Sequence, residues 1–166
     1  FCVNEVTHLM KFLIQRVTLA SVTVDGETIG RIGRGFLVLI GVSDTDTEAV
    51  ADRMIRKMIG LRIFEDENGK TNLNLASVGG SLLLISQFTL YADCKDGNRP
   101  AFIKAGAPAH AEKLYNYILE KCGEMVPVTE HGQFGADMKV ELVNDGPFTV
   151  MLDSQELFKM GTVPGR

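Results

Sequence analysis

Two short polar runs interrupt otherwise apolar stretches of this chain. Ser86-Gln87-Phe88-Thr89 follows Leu82-Leu83-Leu84-Ile85 with no turn residue between them, and Asn144-Asp145-Gly146-Pro147-Phe148-Thr149 stands between DMKVELV and FTVMLD. The first run offers hydroxyls, a carboxamide and backbone donors, a set able to hold and polarise a carbonyl. Its plain alternative is a half-buried strand whose polar side chains meet water. The second run couples Gly146, tolerant of backbone angles denied to other residues, to Pro147, which lacks an N–H. A Gly-Pro bond is also one of the few peptide bonds that can be cis at modest cost. By local pattern the run is a hairpin turn. A proline where the second strand should begin pairing points to a specially shaped backbone as well.

Other chemistries find little support. His8, His110 and His131 fall in no nucleophile motif, no metal-ligand spacing appears, and Gly30 to Gly35 lies between strands rather than opening a helix. No metal or cofactor is expected. Cys2, Cys94 and Cys122 are odd in number and widely spaced, which argues against a disulfide framework and for a reducing cytoplasm. A net charge of -4 opposes nucleic-acid binding by bulk electrostatics, although a local basic rim could still meet a phosphate backbone. Lys95, Arg99 and Lys104 could supply one; for each, a solvated surface role is the default.

The elements that must position these residues follow from periodicity. MKFLIQRV and ASVTVDGETIGRIGRG predict three short strands, with Asp25-Gly26 as a hairpin turn, and FLVLIGV predicts a buried strand. A helix follows capping residues at Ser43 to Thr47 and ends near Gly60; a second spans Pro108 to Gly123. LRIFEDENGK predicts a strand into a turn, the stretch through Gly79-Gly80 a loop, and SLLLISQFTLYA one long strand. Together they predict a mixed α/β (α+β) domain in which two main helices cover a curved sheet. Residues 1–9 are read as an N-terminal extension, 10–153 as the single domain and 154–166 as a C-terminal tail. No apolar stretch approaches a membrane span.

SQFTL, GNRPAF (97–102), GQFGADM (132–138) and NDGPFT, in this order, resemble the D-aminoacyl-tRNA deacylase (D-tyrosyl-tRNA deacylase) family, whose signatures are Ser-Gln-Phe-Thr and Asn-x-Gly-Pro-x-Thr. QRVTLASVTV and LRIFEDENGK add to the likeness, which covers about Met10 to Leu152. The resemblance implies a barrel-like β core with helices outside, and a homodimer with its active site near the interface. It implies hydrolysis of the ester between a D-amino acid, or glycine mischarged on tRNA-Ala, and the terminal ribose of tRNA. Ser86, Gln87, Phe88 and Thr89 would form the catalytic stretch. A cis Gly146-Pro147 pair would reject L-amino acids, supported by Arg16, Asn144 and Thr149. Pro100, Phe102, Phe134 and Met138 would pack on the terminal adenosine, with ordinary core packing as the alternative for each. No membrane or DNA partner is implied. A non-catalytic tRNA-binding module and a hydrolase of small D-amino acid esters are the competing readings.

Overall fold

The structure is a computed structural model that describes residues 7–158, so the first six residues of the expected extension and the last eight of the expected tail lie outside it. Its elements are β1 (Lys11–Val24), β2 (Glu27–Ile32), β3 (Gly35–Gly41), α1 (Glu48–Gly60), β4 (Phe64–Glu65), β5 (Thr71–Leu73), β6 (Ser81–Ser86), α2 (Pro108–Met125), β7 (Thr129–His131), β8 (Lys139–Asp153) and α3 (Ser154–Leu157). The main sheet runs β2-β1-β3-β6-β7, with β8 paired to β1.

MKFLIQRV and ASVTV form one strand rather than two. Nothing between Val17 and Ala20 makes a turn, and β1 changes partners instead: its first half pairs with β3, its second with β2, and β8 follows it along the other edge. Asp25 and Gly26 turn the chain as expected, with the positive φ values of 50° and 78° that a tight hairpin demands.

β3 and β6 are parallel and buried on both faces, which is why each reads as a continuous apolar run. Phe36, Val38, Ile40, Leu82 and Leu84 face the helices, whereas Leu37, Leu83 and Ile85 face an inner cluster with Val17, Ala20 and Val22. The sheet curls until β2 nears β7: a Cβ on Gly30 would lie 3.1 Å from the His131 carbonyl. The result is a mixed α/β fold with a nearly closed, barrel-like sheet.

α1 starts where the Thr47 hydroxyl accepts from the Val50 N–H at 3.3 Å, and it buries Val50, Met54, Ile55 and Met58. α2 opens on Pro108 and buries Leu114, Tyr115, Ile118 and Cys122. Each fully buried aliphatic side chain stabilises by about 1.5–3 kcal/mol, so these stripes hold both helices to one face of the sheet. The stretch expected as a loop before Gly79 contains β5, which pairs with β4 in a small hairpin. None of the helices among the described residues is long and apolar enough to cross a membrane.

Two expectations at the polar runs are corrected. β6 ends at Ser86, and Phe88–Tyr91 is a 3-10 turn rather than more strand. Its ladder partner β3 runs out there, the last bond being Gln87 N–H to the Ile40 carbonyl at 2.8 Å. NDGPFT is likewise no hairpin. Both flanking arms pair with β1, Asn144 opposite Val17 and Thr149 opposite Gln15, so the chain keeps its direction and Asp145 to Phe148 bulge out against Arg16 alone.

Candidate active site

A pocket of about 520 Å³ opens where parallel β3 and β6 end. Ser86, Gln87 and Phe88 form one wall, Ala105 and Gly106 another, and the Phe134–Met138 loop a third. Short backbone ties fix these walls. The Gly106 N–H donates to the Val42 carbonyl at 2.9 Å, and the Ala107 N–H donates to the Asp44 carboxylate at 2.8 Å. On the far side the Leu84 carbonyl accepts from both the Gly132 N–H, at 3.1 Å, and the Tyr115 hydroxyl, at 2.7 Å.

Phe134 and Met138 line the pocket and also pack on the core, Phe134 lying 6.1 Å from the Tyr115 ring. Phe102 does not line it but meets the Phe88 ring edge-on at 5.0 Å, bracing a side chain that is 57% exposed. Pro100 is exposed and outside the pocket walls. Ala105, Gly106 and Ala136 are wall residues that sequence reasoning missed, since small side chains carry no chemical signal.

Thr89 is exposed, and its hydroxyl accepts from the Gln87 side-chain amide. The described histidines are engaged elsewhere: His8 with the Thr45 carbonyl, His110 with that of Asp46, and His131 with that of Gly132. None stands as a base beside Thr89. By contrast, the backbone N–H groups of Phe88 and Thr89 have no acceptor among the described residues. Phe88 lines the pocket and Thr89 follows it in the chain; two adjacent free donors beside a pocket are suited to a carbonyl oxygen that gains negative charge.

The bulge of β8 is organised by Arg16, which is only 6% exposed. Its Nε donates to the Asp145 carbonyl at 2.9 Å and its Nη1 to the Ile63 carbonyl at 2.6 Å. Its guanidinium carbon sits 4.7 Å from the centre of the Phe148 ring. Asn144 closes the bulge from within, accepting from the Phe148 N–H at 2.6 Å and donating to the Thr149 hydroxyl at 3.0 Å. The Gly146-Pro147 bond is cis, and both residues are exposed.

The bulge and the pocket are separate within one chain. Arg16 is level with Phe36 on β3, whereas the pocket wall begins at Ile40. Four strand residues span about 13 Å along β3, and none of Asn144 to Thr149 is among the pocket's lining residues. No cluster of metal-ligating side chains occurs among the described residues.

The model of the family described as D-Tyr-tRNA(Tyr) deacylase matches residues 13–153. The "D-aminoacyl-tRNA deacylase" of Clostridium novyi (strain NT) is 50% identical over 149 residues, covering 90% of this chain and 100% of that protein. That of Photobacterium profundum is 56% identical over 140 residues, covering 84% and 97%. Among solved structures, one named "c-Myc DNA Unwinding Element Binding Protein" is 43% identical with a TM-score of 0.81, covering 86% of this chain and 97% of the other. A second, described as a "probable eukaryotic D-amino acid tRNA deacylase", shares the fold at 17% identity, with a TM-score of 0.78 over 87% of this chain and 99% of its own.

Proposed function

This chain belongs to the D-Tyr-tRNA(Tyr) deacylase family, and from that premise we propose that it hydrolyses the ester joining a D-amino acid to the terminal ribose of tRNA. The observation that carries the reading is the pair of free N–H groups at Phe88 and Thr89, beside a pocket with no nucleophile–base pair. An aminoacyl ester is already reactive. Donors on its carbonyl oxygen and a positioned water suffice, one such donor being worth about 3 kcal/mol in the transition state. The substrate's own 2′-hydroxyl assists proton transfer. Phe134 gives the terminal adenine a flat face, which stacks on any base, and Met138 packs beside it. Residues 10–153 form the one domain that does this, in the cytoplasm.

Selectivity is assigned to the bulge. The Gly146 and Pro147 carbonyls enter the pocket of a second copy, accept from the ammonium of a D-aminoacyl group and occupy the space an L side chain would need. Glycine, lacking a side chain, is admitted, so glycyl-tRNA is a substrate. None of the bulge residues Asn144 to Thr149 lines the pocket of its own chain, which supports delivery by a partner. Leu19, Val143 and Met151, each about half exposed along β1 and β8, support an apolar contact between copies.

Incubation with D-Tyr-tRNA, L-Tyr-tRNA, glycyl-tRNA and a small D-tyrosine ester tests the proposal. Hydrolysis of the first and third alone is expected. Binding of tRNA with no hydrolysis would establish instead a non-catalytic binding module.

A further inference from the structure

We infer that a second hollow beside the pocket holds the phosphodiester leading from the terminal adenosine into the tRNA strand, with Lys11, Lys95 and Lys104 as its cationic walls. The inference rests on the deacylase reading. The hollow measures about 420 Å³, and two segments of the chain supply walls to both it and the pocket. Gln87 and Phe88 line the pocket while Leu90 and Tyr91, in the same turn, line the hollow; Ala105 faces one and Lys104 the other. A strand whose last base lies in the pocket therefore passes over this hollow as it leaves.

Charge favours that occupant. Lysines 11, 95 and 104 line the hollow, against a single lining carboxylate, Asp93, in a chain whose net charge is -4. Asp93 is already engaged, accepting from the Lys95 N–H at 3.0 Å and pairing with the Lys95 ammonium at 3.5 Å. That backbone bond, with the charges of Lys95 and Lys104, holds its carboxyl below the ordinary range, so it stays ionised and the hollow retains an excess of two positive charges. Asp153 is opposite Lys11 in the β1–β8 register and tempers that lysine's share.

The walls are also fixed. Lys11 Nζ sits 5.4 Å over the Tyr91 ring, and the buried Tyr91 donates its hydroxyl to the Leu9 carbonyl at 2.6 Å. Asp93 and Ala101 exchange backbone hydrogen bonds of 2.7 and 2.9 Å, closing the loop that carries Lys95. Ile103, 90% exposed beside Lys104, offers an apolar surface to a sugar or base. Flexible ammonium groups with an apolar neighbour suit a single strand read without regard to sequence.

The test compares D-Tyr-tRNA with 2′(3′)-O-D-tyrosyl-adenosine, which lacks the phosphodiester. Lys95→Gln/Lys104→Gln is expected to lower kcat/KM on the tRNA roughly 3- to 10-fold at low salt. Its salt dependence should weaken by about 0.7 in log–log slope for each phosphate that is no longer neutralised, while turnover of the adenosine ester is unchanged. Equal losses on both substrates, or none on the tRNA, would overturn the inference. Exposed Cys94 gives a readout independent of turnover. Uncharged tRNA should slow its alkylation, and the adenosine ester should not. If the wild-type chain hydrolyses neither substrate, the deacylase reading fails; protection of Cys94 by tRNA then upholds the hollow and its absence overturns it.

Discussion

Arg16 Nε lies 2.9 Å from the carbonyl oxygen of Asp145, the residue that precedes the Gly146-Pro147 pair, while Nη1 of the same guanidinium holds the Ile63 carbonyl. One buried fork thus ties the bulge to the chain beyond α1. Arg16→Lys keeps the charge but can satisfy only one of these two carbonyls well. A buried acceptor left without its donor costs about 1–3 kcal/mol, so chemical denaturation should show a loss of that size. The ratio of kcat/KM for D-Tyr-tRNA over L-Tyr-tRNA should fall as well, because the bulge is no longer held in one place. An unchanged ratio would separate Arg16 from selectivity.

Gly146 has φ of 139°, and a Cβ there would lie 3.0 Å from Arg16 Nη2 and 3.2 Å from the Phe148 nitrogen. Gly146→Ala should therefore displace the bulge and abolish D-Tyr-tRNA hydrolysis. Ala136→Trp, which fills the pocket, should do the same by another route. If the bulge acts in the partner's pocket, mixing the two inactive chains under exchange conditions restores activity. Half the molecules become heterodimers with one intact site, giving about a quarter of the wild-type rate. No recovery, with exchange verified by mass, would place bulge and pocket action in the same chain.

The parts legible in the sequence were those set by local pattern. Val50, Met54 and Met58 recur at helical spacing, and Asp25-Gly26 could hardly be anything but a turn. At the two polar runs local pattern misled because long-range pairing decides the outcome. The arms around NDGPFT have the alternation of hairpin strands, but β1 is long enough to satisfy both, so the turn residues build a bulge. SQFTL continues an apolar run, yet the strand stops where β3 no longer offers carbonyls. The free N–H groups of Phe88 and Thr89 exist because of that stop, and no side-chain type announces them.

Asp46 illustrates the same limit. By sequence it belongs to the capping residues before α1, but Thr47 caps the helix and Asp46 is buried. Its carboxylate accepts from the N–H groups of Leu9, Met10 and Ser43 at 3.0, 3.1 and 2.7 Å, joining the start of β1 to the loop after β3. Asp46→Asn preserves shape while turning an amide donor toward one of these donors. A loss of about 1–3 kcal/mol in thermal or denaturant unfolding is expected, with the D over L preference unchanged.

Burial raises the Cys122 thiol from 9.0 to about 12. The thiol stays neutral in the folded chain, while an unfolded one ionises above pH 9. Its stabilising contribution is therefore complete below pH 9 and is lost as pH rises toward 12. Unfolding free energies from urea titrations should hold steady from pH 7.5 to 8.5 and then fall, by at most about 1.4 kcal/mol per pH unit from this group. Cys122→Ala should lower stability near neutral pH through the lost packing and flatten the profile between pH 9 and 10. An equally steep fall in the variant would assign the alkaline loss to other groups.

Thr89 offers the sharpest test of the chemistry. Were its hydroxyl the nucleophile, it would need a base, yet its contact is the Gln87 amide, a donor that makes the oxygen less nucleophilic. Thr89→Ala removes the hydroxyl and keeps the N–H, so kcat on D-Tyr-tRNA should stay within about threefold of wild type, far from the 10²–10⁴-fold that positioned proton transfer supplies. Replacing the Thr89 amide by a backbone ester does the reverse, keeping the hydroxyl and deleting the donor. That change should reduce kcat by about 10²–10³-fold, as expected for a donor to a developing oxyanion. Single-turnover rates with saturating enzyme separate both effects from binding. If the alanine variant binds D-Tyr-tRNA normally but does not turn it over, while the ester variant remains active, the hydroxyl and not the backbone carries the reaction.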